Sequence, residues 1–319
     1  MTEIQILLEA ILQALATGLL VGAIYGLMCV GLAMIFGIMR VINFAQGDFM
    51  MLGMFAALFF FSLFTQSVFG AYLGPYLAIL LAAPIMYGVG YLVHVVLISR
   101  VTGARTAKLE GEGHYAQLVL TLGVSLILQN GAMMMFGPQL VSIRTPVSSS
   151  AWMIGPIWGD FVTVFINQGR GIAMAIAIVV IAALTLIISR TRLGKSLRAA
   201  ADNPDASTYV GIDVNNAHRV AFALGTAITA VAGGLLATNY PFHPFVGLEF
   251  VIIMYAGVVL GGVGSIIGSF WGGMIIGLVQ QLSTLVLPTQ LQNSAIFVLF
   301  LLIVTLRPQG LFGRISERT

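Results

Sequence analysis

Charge is what this chain has least of: Lys, Arg, Asp and Glu make up 8% of its 319 residues, where soluble domains carry about 25%. A water-soluble fold of this size needs a charged skin over its core, and there are too few ionisable side chains to make one. The hydrophobic content of 59% and mean hydropathy of +1.02 make lipid the expected outer solvent. Cysteine is nearly absent too. Cys29 stands alone, which excludes an intrachain disulfide and a metal site built on several thiolates. His94 and His243 have no metal-ligand company and read as structural, since a zinc site needs three or four converging ligands. No Ser-His-Asp or paired-carboxylate arrangement can be drawn from so few charged residues, so neither catalytic chemistry nor a bound metal is expected. The basic start of a signal peptide is missing as well. Glu3 and Glu9 stand there instead, and the apolar run from Ala10 to Phe36 is longer than a signal core, so it is expected to remain as a first membrane helix.

What is present is a series of apolar stretches, at about 11–36, 49–64, 74–98, 115–136, 171–189, 218–238, 249–260, 265–281 and 291–306. The fold class expected is therefore an all-α, polytopic bundle of eight or nine spans. The seventh stretch is short and runs into Gly261, Gly262 and Gly264, so it and the eighth form either two tight crossings or a broken, re-entrant hairpin. The net charge of +3 does not point to nucleic acid, because the basic residues sit in short loops and form no extended patch. They report topology. Arg40, Arg100, Arg105, Lys108, Arg190, Arg192, Lys195, Arg198, Arg219, Arg307, Arg314 and Arg318 are assigned to the cytoplasmic side by the positive-inside rule. Only Arg144 and Arg170 fall elsewhere, in a 137–170 connection that holds Pro138, Pro146, Pro156, Trp152 and Trp158 and reads as periplasmic. That places the N-terminus outside and the C-terminus inside, which nine crossings satisfy.

Gly47-Asp48-Phe49 opens the second stretch and Gly247-Leu248-Glu249-Phe250 the seventh. With the first at the cytoplasmic face and the second at the periplasmic face, stretches one to four and six to nine form inverted repeats around an odd fifth helix, a transporter arrangement; chance likeness between apolar sequences is the competing explanation. Gly18, Gly22 and Gly26 share one helix face, as do Gly268 with Gly272 and Gly273 with Gly277. Such faces let helix backbones approach closely.

The 192–218 stretch, RLGKSLRAAADNPDASTYVGIDVNNAH, contains a punctuated short helix. Asn203 suits the N-cap, Pro204 the first helical position, Asp205 the positive dipole end and Gly211 the C′ position. With Ala199, Ala200 and Ala201 before it, this is a compact element able to dock flush into a partner's groove, or simply a capped loop helix. Gly194-Lys195-Ser196 mimics the end of a P-loop, but Ser189 stands where that motif needs glycine. The chain has no nucleotide cradle of its own. At membrane depth, where polar groups face a cavity or another helix, Asn43, Gln46, Asp48, Gln129, Asn130 and Glu249 are candidates to line a path for a zwitterion, with interhelical hydrogen bonding as the alternative. Gln280 and Gln281, near a helix end, are weaker ones.

Taken together, VINFAQGD at 41–48, LVLTLGVSLILQN at 118–130, the 194–211 loop, VVLGGVGSIIG at 258–268 and the tail RPQGLFG at 307–313 resemble the LivH-type permeases of branched-chain amino acid ABC importers, over nearly the full chain. The resemblance implies a single transmembrane permease domain over 1–319 in the bacterial inner membrane, with 190–217 as a cytoplasmic coupling loop. It implies a second, LivM-like permease subunit, two cytoplasmic ATPase subunits that hold ATP and Mg, and a periplasmic solute-binding protein. Arg198, Ala199, Ala200, Asn203, Ala206 and Gly211 match the family loop that contacts the ATPase, and Pro204 and Asp205 lie within it. Gln46 stands where the family commonly shows histidine, and Asp202-Asn203-Pro204 where an acidic residue can follow the alanines. Urea and amide transporters share this architecture. An ion-coupled secondary transporter would need acidic residues in mid-helix, whereas Asp48 and Glu249 sit near segment ends.

Overall fold

The computed structural model describes residues 3–65, 70–102, 112–157, 162–307 and 309–313. Arg105, Lys108, Trp158, Pro308, Arg314 and Arg318 lie outside them. Each of the nine apolar stretches is a helix: α1 (Glu3–Met39), α2 (Gln46–Thr65), α3 (Gly70–Val93), α5 (Glu112–Phe136), α6 (Gln168–Arg190), α9 (Val214–Ala237), α10 (Gly247–Gly261), α11 (Ile266–Ser283) and α12 (Gln292–Leu306). Between α3 and α5 the chain passes through a π-turn at His94–Ile98 and the short α4 (Ser99–Thr102), and α7 (Arg192–Asp202) and α8 (Pro204–Tyr209) lie between α6 and α9. Seven of the described helices are long and apolar enough to cross a membrane; α10 and α12, at 15 residues each, are shorter. The protein is a multi-pass membrane protein.

The 137–170 connection holds something the all-helical expectation did not include, a two-stranded antiparallel sheet of β1 (Ala151–Ile157) and β2 (Val162–Asn167), with Ala151 opposite Asn167 and Met153 opposite Phe165. A lone hairpin is marginal, and its free edge needs a partner. Gln13 of α1 supplies one, its Nε2 donating to the Phe165 carbonyl at 2.8 Å and its Oε1 accepting from the Phe165 N–H at 2.9 Å.

Glycine decides which helices form the core. A Cβ at Gly22 would stand 2.7 Å from the Met274 carbonyl oxygen, and one at Gly273 would stand 2.5 Å from the Gly26 nitrogen, so α1 and α11 meet backbone to backbone along antiparallel paths. With little hydrophobic drive between helices in lipid, such close contact supplies the cohesion. α9 lies against α3 in the corresponding way, with Gly234 on Ile79 and Gly90 on Thr226. Gly53 faces Ala230 while Met50 faces Gly233, which lays α2 along α9; Gly257 faces Cys29 and Tyr25 meets Phe250 edge-on, which lays α10 along α1. The two halves, α1 to α3 and α9 to α11, thus repeat one arrangement in opposite directions, and α6 stands at the side against α1 and α7.

The repeat joins differently from the sequence expectation. Gly47 and Gly247 are in contact, a Cβ on Gly247 falling 2.7 Å from both the Gly47 carbonyl carbon and Asp48 Oδ1, so they do not mark opposite membrane faces. After α1 ends at Met39 and Arg40 turns the chain at φ 55°, residues 41–45 fold back into the bundle, and residues 238–246 do the same after α9. α2 and α10 therefore begin inside the protein and run away from each other. Irregular backbone is tolerated at such depth because protein surrounds it. Asn43 Oδ1 accepts from the Ala45 N–H at 3.1 Å, and Val141 and Phe242 form an isolated bridge.

Candidate functional site

Where α2 and α10 meet head to head, the chain buries a polar cluster. Gln46, at the start of α2, donates from Nε2 to Thr229 Oγ1 at 2.6 Å and to the Gly225 carbonyl at 3.4 Å, and its Oε1 accepts from Asn43 Nδ2 at 2.9 Å. Thr229 passes its own proton to the Gly225 carbonyl at 2.9 Å. Two residues along α2, Asp48 accepts from Gln129 Nε2 at 2.9 Å, and the same amide reaches Ser125 Oγ at 3.0 Å. Below them, Thr121 Oγ1 accepts from the Phe44 N–H at 3.4 Å and donates to the Leu118 carbonyl of its own helix at 3.1 Å, with the Ile42 carbonyl at 3.5 Å. Thr229 is the sixteenth residue of the 24-residue α9, so the cluster sits near the middle of the bundle, not at an end.

Four of the six pathway candidates, Asn43, Gln46, Asp48 and Gln129, come together here. All four are buried, so none faces an open channel in this conformation. The other two stand apart: Asn130 is exposed and its amide returns to the Leu126 carbonyl of its own helix at 2.7 Å, while Glu249 is exposed in the first turn of α10. Gln280 is bonded to Asn293 at 3.1 Å, away from the cluster. Asp48 departs from its expected place. It opens a helix, yet the helix opens indoors, and Asp48 is 1% exposed. Thr121, Ser125 and Thr229 were not singled out from sequence. A signal existed for the first two: Thr121, Ser125 and Gln129 recur every four residues and form one stripe on the apolar α5. The N-termini of α2 and α10, each equivalent to roughly half a positive charge, meet beside the Asp48 carboxylate.

Changing Thr229 to valine, which keeps the volume and removes the acceptor, leaves the buried Gln46 amide without its short bond. A cost of about 1–3 kcal/mol is expected for such an orphaned group. It should appear as a thermal midpoint a few degrees lower in mild detergent, with serine at the same position restoring most of the loss.

The second candidate region is the α7–α8 elbow. Thr191 caps α7 by accepting from the Gly194 N–H at 3.1 Å, and Asn203 ends α7 and caps α8 by accepting from the Ala206 N–H at 3.0 Å. Pro204 and Asp205 open α8 and Gly211 follows it at φ 83°, the left-handed conformation that the C′ position requires. Arg198, Asn203, Pro204, Asp205, Ala206 and Gly211 are exposed and Ala199 is half-buried. Ala200 is 0% exposed, on the inner face of α7 with Gly194 and Leu197, so it packs the elbow onto the bundle. The tip, overlooked in the sequence, is Tyr209 at 90% and Val210 at 76% exposure. Arg40 Nη2 reaches the Ala201 carbonyl at 3.4 Å, and Gly37 lies against Gly264, so the elbow and the ends of α1 and α10 occupy one end of the bundle.

Inverted halves wound about two interrupted helices, with polar groups held at the break, define a membrane transport protein. Residues 14–306 match the family of the branched-chain amino acid transport system permease component, and the chain belongs to that family. It is 30% identical to the high-affinity branched-chain amino acid transport system permease protein BraD of Pseudomonas aeruginosa, over 95% of this chain and 96% of that one. It is 27% identical to LivH, the high-affinity branched-chain amino acid transport system permease protein of Escherichia coli, again over 95% and 96%. A probable LivH of Methanocaldococcus jannaschii is 28% identical over 90% of this chain and 88% of its own. No solved structure matches the chain.

Proposed function

We propose that this chain is one of two transmembrane permease subunits of an ATP-driven importer that moves branched-chain or other small amino acids across the bacterial inner membrane. The family match from 14 to 306 carries the reading. The exposed elbow, on a chain whose sequence has no P-loop, supports a motor on other polypeptides. Those would be two cytoplasmic ATPase subunits holding ATP and Mg, with a second, LivM-like permease beside this chain and a periplasmic solute-binding protein delivering the cargo. The elbow end is the cytoplasmic end in this reading, with the N-terminus periplasmic and the C-terminus inside. Arg40, Arg190, Arg192, Lys195 and Arg198 lie there, as the positive-inside rule favours. ATP binding draws the ATPases together, the 194–211 elbow moves with them, and the bundle turns from inward-facing to outward-facing. Asn43, Gln46, Asp48 and Gln129 then become the polar part of the path. The permease itself is not an enzyme.

A buried Asp48 also suits an ion-coupled carrier, and one measurement separates the two. Uptake of radiolabelled L-amino acids by membrane vesicles carrying the assembled complex is expected to need ATP, to stop with vanadate and to persist after ion gradients are dissipated. Uptake driven by a proton or sodium gradient without ATP would overturn the ATP-driven reading.

A further inference from the structure

The seam between α5 and the folded-back 41–48 segment carries a further reading, which rests on the amino acid importer just proposed. Among the described residues Asp48 is the only buried carboxylate, and the groups that bond it are neutral. Gln129 Nε2 commits one proton to Asp48 and the other to Ser125. One turn below, Thr121 Oγ1 accepts from the Phe44 N–H at 3.4 Å and turns its one proton to the Leu118 carbonyl of its own helix at 3.1 Å, leaving the Ile42 carbonyl at 3.5 Å only loosely served. The face that the Thr121, Ser125 and Gln129 stripe of α5 covers therefore offers a carboxylate, a backbone carbonyl and a backbone N–H. Among the described residues α5 has little else to hold it: Val119, Leu126, Ile127 and Met134 on its other faces are exposed, and apolar contacts such as the Phe55–Phe136 stack supply much of the rest.

We infer that α5 is the gate of this permease, and that the Asp48 carboxylate together with the Ile42–Phe44 backbone receives the zwitterionic head of an amino acid when α5 moves off. The solute's ammonium replaces the Gln129 amide at Asp48 and donates to the loosely served Ile42 carbonyl. Its carboxylate takes the Phe44 N–H. A buried carboxylate that loses its donors is costly, so the face stays covered until a cationic group arrives to take their place. The exchange breaks no covalent bond and leaves every hydrogen bond on this face remade. It also selects a charged ammonium over a neutral amide, because only the former brings a full charge to Asp48.

Two variants of the full complex in vesicles test this, with radiolabelled L-amino acids and radiolabelled acetamide as probes. Asp48→Asn keeps an acceptor for Gln129 and removes the charge. It should co-purify with the same subunits as the unaltered chain while its amino acid uptake falls about 30-fold, the order seen when one partner of a buried charge pair is removed. A Phe44→Cys/Thr121→Cys pair in a Cys29→Ala background should block uptake on oxidation and regain it on reduction. Assembled Asp48→Asn that transports amino acids within about twofold of the unaltered rate, or an oxidised pair that transports as well as the reduced one, overturns the inference. If the unaltered complex takes up acetamide and no amino acid, the underlying importer assignment fails, and it fails before either variant is compared.

Discussion

One methyl group at Gly47 is expected to prevent the bundle from closing. Gly47 and Gly247 bring the N-termini of α2 and α10 together backbone to backbone, and a Cβ on Gly47 would collide with the Gly247 carbonyl oxygen. The obstructing atoms are backbone, so no rotamer change relieves the overlap. α2 is fixed against α9 by the Gln46–Thr229 bond and α10 against α1 by the Gly257–Cys29 contact. Neither can retreat without breaking its own seam. Overpacking typically costs about 1–3 kcal/mol where neighbours can shift, and here the upper end or more is expected, out of a total stability of only about 5–15 kcal/mol. Gly47→Ala and Gly247→Ala should therefore each yield little monodisperse protein on size-exclusion chromatography in mild detergent. Gly88→Ala is the control, because nothing lies within 4 Å of a Cβ built there and alanine favours a helix. Equal yield and equal thermal midpoint for Gly47→Ala and Gly88→Ala would show that the junction is not tight.

The second large effect is expected at the tip of the elbow, and it separates docking from folding. Tyr209 and Val210 are 90% and 76% exposed, and surface changes away from special backbone features rarely move stability by more than about 0.5 kcal/mol. An aspartate at both positions should leave the isolated chain folded. In the assembled complex the same pair would sit in the ATPase groove, and losing a buried aromatic anchor commonly costs about 2 kcal/mol or more. The Tyr209→Asp/Val210→Asp double variant is thus expected to lose ATP-driven uptake by at least about 30-fold, with ATPase subunits no longer co-purifying. Normal uptake would remove the elbow from the drive mechanism. Gly211 gives a milder contrast. Space around it is open, so a side chain there meets only the strain of its left-handed backbone, about 1–2 kcal/mol. Ala200 lies on the buried face of α7, so a bulky residue there is expected to disturb packing as well as coupling.

These two sites also mark how far the sequence could be read. The α8 helix was legible in full, because Asn203, Pro204, Asp205 and Gly211 act on backbone groups two to eight residues away, and a cap is written next to what it caps. The Gly47 and Gly247 likeness was visible as a repeat, but their contact was not, since nothing local records that two stretches 200 residues apart touch. The same holds for Ala200, whose small side chain reads as smooth surface or tight packing with equal ease, and for Thr229, one threonine among many until Gln46 arrives beside it. The hairpin at 151–167 was missed because its β-branched and aromatic run, Val162 to Ile166, is short and sits in a proline-bearing connection, and its free edge is held by Gln13, about 150 residues away.

Composition and the lengths of the apolar runs by themselves determined that this chain lives in lipid, folds as a bundle of eight or nine apolar helices and carries a capped elbow among basic residues. Those properties follow from hydration and from hydrogen bonds closed within a few residues, so a linear string is enough to state them. Depth was decided only by the tertiary structure. Whether Asn43, Gln46 and Asp48 lie at a membrane surface or in the protein's middle depends on the 41–45 and 238–246 segments turning inward, and that turn is held by backbone contacts between glycines of opposite halves. The close approach exists only once both halves are present, which is why neither half announces it.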